Sequence, residues 1–334
     1  MKKLLVAISM FFAALVVRSQ DIHFSQFFNA PANYNPALTG QFDGDYRFIG
    51  NQRTQWRAVT EPYSTIGGSV DANSFLENEN LGTGLSIYRD RAGDSRLTLL
   101  HVNLAGSYRF ALSGEGESLS LGGQVGITHH NIDYSQLEYN SQYNGFFYDP
   151  GQPSGEAFSR DSRTYLNFNI GAAYFKKFDE RNSLEGGMSV FNLNSPNQSF
   201  FNATGVNLDP RLVFHGKGQI EIDDEWDILP SAIFQSQGKF TEFVFGGAAK
   251  YILENEAGLN RAVYGGLYYR TRDAGYIMAA MDYDAWHVGI SYDINLSDLR
   301  TASNGRGGFE IAVIYILQQF KPEEYNYRVC PDYL

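Results

Sequence analysis

The sequence predicts an all-β protein, a transmembrane antiparallel β-barrel of about 14 strands. Three observations carry that expectation. Apolar and polar residues alternate with a period of two through most of the chain, as strands with one apolar and one polar face require. Most alternating segments have nine residues or more, the length of a tilted strand crossing a bilayer, whereas soluble strands average about five or six. Finally, the short connections follow even-numbered segments and the two long ones follow odd-numbered segments, so both long loops fall on one rim, as in an even-stranded barrel.

Residues 1–19 of the 334-residue chain read as a signal peptide. Lys2 and Lys3 form a basic start, and residues 4–17 are uncharged and apolar apart from Ser9. That run is too short to span a bilayer as a helix and fits a cleaved targeting segment. Val17 and Ser19 are small enough to flank the cleavage step. Losing Lys2, Lys3 and Arg18 takes the formal charge from −11 to about −14. Such a chain lacks the basic face of a nucleic-acid binder. Beyond residue 20 no further apolar run is long enough for a membrane helix.

Residues 20–44 precede the first strand and carry Phe24, Phe27, Phe28, Tyr34 and Phe42 without a strand period. Five aromatics need burial, so the segment is expected to fold into the barrel mouth or lumen as a plug. The competing expectation is a periplasmic arm that binds a partner. Pro36 and Gly40 suit turns rather than a continuous strand.

The strands are expected at residues 45–58, 62–74, 81–90, 96–110, 118–132, 164–177, 183–192, 210–222, 226–236, 241–252, 261–271, 275–284, 285–296 and 306–320. In the first, Asp45, Arg47, Ile49, Asn51, Arg53, Gln55 and Arg57 share one parity, which should face the lumen. Val102, Leu104, Tyr108 and Phe110 alternate with Asn103, Ala105, Ser107 and Arg109 in the fourth. The sixth alternates Leu166, Phe168 and Ile170 with Asn167 and Asn169. The thirteenth is the cleanest, with Trp286, Val288, Ile290, Tyr292 and Ile294 against His287, Gly289, Ser291 and Asp293. The last is less clean, because Ile314 and Ile316 sit on its polar parity. The barrel is thus expected over residues 45–320, with a periplasmic tail at 321–334.

Turns are expected at 113–117, 179–181, 223–225, 254–260 and 284–285, and long loops at 133–163 and 193–209. A secreted β-sandwich would also alternate. Strand length, aromatics near strand ends and only 10 Pro in the chain favour the barrel.

Three motifs point to a family. Phe24-Ser25-Gln26 opens the mature chain, Asn35-Pro36-Ala37-Leu38-Thr39-Gly40 follows, and the first strand holds Arg53-Thr54-Gln55-Trp56. Near the end stands Val329-Cys330-Pro331, where the family often continues with a basic residue and this chain with Asp332. Over essentially its whole mature length the chain resembles the PorP/SprF family of outer-membrane proteins, found with the type IX secretion and gliding machinery of Bacteroidota. The resemblance implies a non-enzymatic outer-membrane barrel. Its expected partners are membrane lipid, a large secreted cargo such as an adhesin with a type B C-terminal domain, and other components of the secretion machine.

The residues themselves add candidates. Arg47, Arg53 and Arg57 are expected to form luminal ion pairs with some of Asp71, Asp282, Asp293 and Glu310, because charges inside a barrel are rarely left unpaired. Simple solvation in a wet lumen is the bland alternative. Loop 133–163 offers Tyr139, Tyr143, Phe146, Phe147 and Tyr148 as a partner-contact surface, or as aromatics that pack on their own loop.

Little points to chemistry. The single Cys330 excludes an internal disulfide and a cysteine-rich zinc site. On one strand, His129 and His130 point to opposite faces and cannot share a metal. The turn Asp223-Asp224-Glu225 reads as a solvated acidic turn. No catalytic or nucleotide fingerprint occurs, so no cofactor is expected. Two function classes remain: a secretion-linked barrel that assists a cargo protein, and a porin-like channel or transporter for small solutes.

Overall fold

The computed structural model describes residues 21–318 apart from 56–60, 77, 94, 113, 158–159, 202, 257–258 and 298–305. The signal segment, the tail with Cys330 and Pro331, and Trp56 and Arg57 lie outside the described residues.

Fourteen strands close into one antiparallel barrel. They are β1 Tyr46–Gln55, β2 Tyr63–Ala72, β3 Leu81–Ala92, β4 Leu97–Ala111, β5 Glu117–Asn131, β6 Ser162–Lys177, β7 Ser183–Phe191, β8 Arg211–Glu221, β9 Trp226–Gln237, β10 Phe240–Glu256, β11 Leu259–Arg270, β12 Ala274–Tyr283, β13 Trp286–Asn295 and β14 Arg306–Leu317. Each pairs with its sequence neighbours, and β1 closes on β14 with Arg53 opposite Glu310. Closure leaves no open strand edge, which a hydrocarbon solvent demands.

Alternation decides which way each side chain points. Along β4 and β5, Leu104, Leu121, Val125 and Ile127 are exposed on the outside, while Asn103, Ser107, Gln124 and Thr128 are buried inside. Aromatic pairs ring the outer face at both rims. Trp226 stacks near Tyr251 at 4.8 Å and Trp286 near Tyr315 at 4.6 Å at one rim. Phe243, Phe245 and Tyr269 gather at the other, at 5.2 and 5.8 Å. Two such girdles flanking an apolar band are the outer face of a membrane barrel.

The connections at 132–161 and 192–210 leave from one rim, hereafter the long-loop rim. The β4–β5, β6–β7, β8–β9, β10–β11 and β12–β13 turns and residue 45 lie on the other, hereafter the short-turn rim. One expected turn is shorter than its composition suggests: β10 runs on to Glu256 and β11 starts at Leu259, with a register shift between Ile252 and Glu254. Glu254, Asn255, Glu256 and Asn260, read as turn chemistry, extend the hairpin instead. Pro230 interrupts the β8–β9 ladder, which skips from Lys217↔Ser231 to Ile220↔Ile228, because proline has no N–H to donate.

The core lies inside the barrel. Phe27, Tyr34, Ala37 and Leu38 of the N-terminal segment cluster with Ala173, Val213, Ile233, Val244, Tyr276 and Met278 of the wall. Ile22 and Phe24 join Tyr88 in a second cluster. Ile316, on the inward face of β14, meets the segment at Gly44, which accounts for its departure from the polar parity.

Candidate functional site

The segment before β1 has little regular structure of its own: three short 3-10 turns, Phe27–Asn29, Pro31–Asn33 and Pro36–Leu38. Its backbone groups therefore need partners elsewhere, and they find them on the inward faces of the strands.

The densest contacts surround Ser25 and Gln26. Their two backbone N–H groups donate to the two carboxylate oxygens of Glu310, at 2.7 and 2.9 Å. The Ser25 hydroxyl donates to Asp293 at 2.8 Å and accepts from Arg270 Nη2 at 2.8 Å. Tyr276 donates its hydroxyl to the Ser25 carbonyl at 2.6 Å. Arg53 ties the group together: Nη1 donates to the His23 carbonyl at 2.7 Å, Nη2 reaches Asp293 at 2.9 Å, and Nε lies 3.8 Å from Glu310. Arg53, Asp293 and Glu310 are all nearly inaccessible to solvent. Hydrogen bonds to charged groups in such surroundings are worth roughly 1.5–3 kcal/mol each.

The second motif is held by shape. Asn35 caps the turn that follows, accepting from the Ala37 N–H at 2.9 Å. Its amide donates to the Ala172 carbonyl at 3.0 Å and to His215 Nε2 at 2.8 Å. That bond puts the imidazole proton on Nδ1, which faces Glu185 at 3.6 Å. Gly171 and Gly187 open the wall for it: a Cβ on Gly171 would lie 2.0 Å from Asn35 Oδ1, and one on Gly187 2.8 Å from Nδ2. Gly40 adopts φ +68° and packs so tightly that a Cβ would meet the Ala72 carbonyl at 2.5 Å; only glycine satisfies both demands. Its N–H donates to Asp71 at 2.7 Å, and Asp71 pairs with Arg47 at 2.6 Å.

These contacts run the height of the barrel. Arg53, Arg270 and Asp293 lie near the long-loop ends of β1, β11 and β13, whereas Asp71 lies near the short-turn end of β2. Phe24, Phe27 and Tyr34 are buried, and Phe28 and Phe42 half-buried.

The arginine candidates divide. Arg47 meets Asp71, and Arg53 meets Asp293 and Glu310. Asp282 is not among their partners; it accepts from Tyr264 at 2.5 Å and lies 2.6 Å from His287 Nδ1, directly opposite it in the β12–β13 register. Gln55 is half-buried on the inward parity of β1. Two groups central to the cluster escaped the sequence reading. Arg270 lies 3.0 Å from Asp273, 3.2 Å from Asp293 and 3.5 Å from Glu242. Their only signal is position, an ionic residue on the polar parity of β11 and of β10. His23 faces Glu242 at 3.9 Å. Burial pushes its imidazole down to about 4, against the opposing pull of Glu242.

On the long-loop rim, Tyr143 and Tyr148 pair across a tight tip. Phe146 at its apex is 90% exposed and Phe147 62%, while Tyr139 is half-buried. Among the described residues, no group of three metal-ligating side chains occurs.

A closed barrel with an apolar outer band, two aromatic girdles and a polar interior is an outer-membrane β-barrel. The family profile described as type IX secretion system membrane protein PorP/SprF matches residues 16–315, and the chain belongs to that family. No curated protein matches it. Among solved structures, the Pseudomonas putida toluene transporter TodX is 10% identical over 89% of this chain and 95% of its own, with a TM-score of 0.49. A Pseudomonas aeruginosa FadL homologue is 11% identical over 86% and 93%, with a TM-score of 0.41. CdiB from Acinetobacter baumannii is 7% identical over 81% of this chain and 60% of its own, also at 0.41.

Proposed function

We propose that this type IX secretion-associated barrel is a non-enzymatic, plugged platform rather than a pore. It assists the secretion or surface attachment of a large cargo protein, such as an adhesin with a type B C-terminal domain. Residues 21–44 act as the plug, and the exposed Phe146–Phe147 tip contacts the cargo or another component of the machine. The observation that carries this reading is the clamp of Glu310 on the Ser25 and Gln26 amides, with Arg53, Arg270 and Asp293 around it. So many buried charged groups spent on one peptide segment favour a stably filled lumen. A solute porin needs the opposite, a wet passage lined by available charges.

The test is affinity purification of the tagged barrel from its native outer membrane in mild detergent, followed by mass spectrometry. The reading expects a large surface protein with a type IX C-terminal domain, or secretion-ring components, in amounts comparable to the barrel. Recovery of the barrel alone overturns it.

A further inference from the structure

The outer wall changes character along β2 to β6. Gly68, Ile87, Val102, Ile127 and Leu166 stand opposite one another across these strands, and the last four are exposed apolar side chains of the lipid-facing band. The next outward row towards the long-loop rim reads Ile66, Arg89, Leu100, His129 and Thr164. The row after it reads Ser64, Arg91, Thr98, Asn131 and Ser162. On β3 the apolar band therefore ends at Arg89. Neither row holds an acidic side chain, although the whole chain carries a formal charge of −11.

Arg89 and Arg91 point to the same outward face of β3, two residues apart. Among the described residues, neither guanidinium has a hydrogen bond or a carboxylate within 4.0 Å. Asp90 between them points inwards and accepts from Thr65 at 2.6 Å. Glu61, beyond the end of β1, has a partner of its own. Arg96 is exposed in the turn that joins β3 to β4. Its acidic neighbour Asp133 is out of ion-pair range and accepts from the Ser135 hydroxyl and amide, at 2.6 and 3.1 Å. Outward cations at the short-turn rim are treated differently: Lys176 pairs with Glu117 at 2.5 Å and Arg261 with Glu254 at 2.8 Å.

A charge on the lipid face is costly at mid-membrane and nearly free at headgroup level, and a long arginine side chain reaches that level from the edge of the band. The guanidinium fork matches the oxygens of a phosphate. In barrels of this class the long-loop rim faces the cell exterior. We propose that Arg89, Arg91 and Arg96 bind the phosphate of an anionic lipid in the external leaflet, with its acyl chains lying on Ile87, Val102 and Ile127. His129, bonded through Nδ1 to Thr164 at 2.8 Å, borders the site on β5 and leaves Nε2 for the same headgroup. The site is independent of the plug and of the cargo contact, since Arg89 and Arg91 face away from the lumen.

Native mass spectrometry of the full barrel in mild detergent tests this, with monophosphorylated lipid A as the probe beside the same lipid chemically dephosphorylated. The expected result is a one-to-one adduct with the phosphorylated lipid and at least about tenfold weaker binding of the other, as loss of charge-assisted bonds requires. Arg89→Gln combined with Arg91→Gln and Arg96→Gln should weaken the phosphorylated lipid to the level of the dephosphorylated one. Heat-modifiable migration on gels confirms that the triple variant is a folded barrel, and the comparison of the two lipids needs no variant. Equal binding of the two lipids overturns the proposal, as does undiminished binding by the folded triple variant. Displacement of the lipid by an equal concentration of inorganic phosphate also overturns it, because the site would then be one for a free anion.

Discussion

Arg53 and Asp293 meet at 2.9 Å although their strands, β1 and β13, are not neighbours. The strand between them, β14, supplies Glu310, whose carboxylate is filled by the amides of Ser25 and Gln26. With Arg270 of β11 and Glu242 of β10 joined to them, five wall strands and one peptide segment therefore share a single buried charge cluster. Taking one member out leaves the others desolvated and unpaired, which costs more than the lost bond itself.

Glu310→Ala should loosen the N-terminal segment by about 3–5 kcal/mol, the usual cost of breaking a buried ion pair. The barrel wall, held by its own ladder, should remain folded. Hydrogen exchange reads this directly: the Ser25 and Gln26 amides should exchange at least about a hundredfold faster, with the strand amides unchanged. Unchanged protection at residues 25 and 26 would contradict the clamp.

Gly171→Val should destabilise, because even its Cβ falls 2.0 Å from an Asn35 oxygen whose side chain is already bonded on both ends. Overpacking of this kind costs about 1–3 kcal/mol. Gly50→Ala on the outer face has open space around its Cβ and should be neutral within about 0.5 kcal/mol. Thermal unfolding of the two variants side by side is the check, and equal melting temperatures would count against the glycine cradle.

Acidification should weaken the docked segment in a defined window. The His23 imidazole is depressed from 6.5 to about 4, so a released segment binds a proton that the docked one refuses. Stability is full above pH 6.5, falls as pH drops from 6.5 towards 4, and levels off below that. His23→Gln should flatten this part of the profile of segment protection against pH. An unaltered slope in the variant would assign the acid sensitivity to other groups.

Phe146→Ser with Phe147→Ser should reduce cargo retention at the cell surface several-fold while leaving barrel stability within about 0.5 kcal/mol, since both rings are exposed. Surface labelling of the cargo in a strain carrying the double variant measures it. Full retention would remove the tip from the contact surface.

The barrel was legible in the sequence because lipid outside and water inside impose opposite demands on successive residues. Trp286–Ile294 and Val102–Phe110 wrote that period without ambiguity, and β13 and β4 fall on them. The ion pairs were legible only where register sets them: Arg47 lies directly opposite Asp71, and Arg53 opposite Glu310. Asp282 went to His287 because the two face each other near the short-turn rim, far along the barrel from Arg53. Arg270 and Glu242 stayed hidden because their meeting depends on barrel closure and on the path of the N-terminal segment. No period records either one. The aromatics of that segment announced burial, but not that a glutamate would receive its backbone.

Single-channel recording in planar bilayers tests the central claim, that residues 21–44 close the lumen, most directly. The account predicts that the intact barrel stays silent across physiological voltages. The Arg53→Ala and Glu310→Ala double variant should open stepwise conductances as the segment leaves. Steady open-channel currents from the intact protein, of the size given by the double variant, would contradict the claim and return the barrel to the class of solute channels.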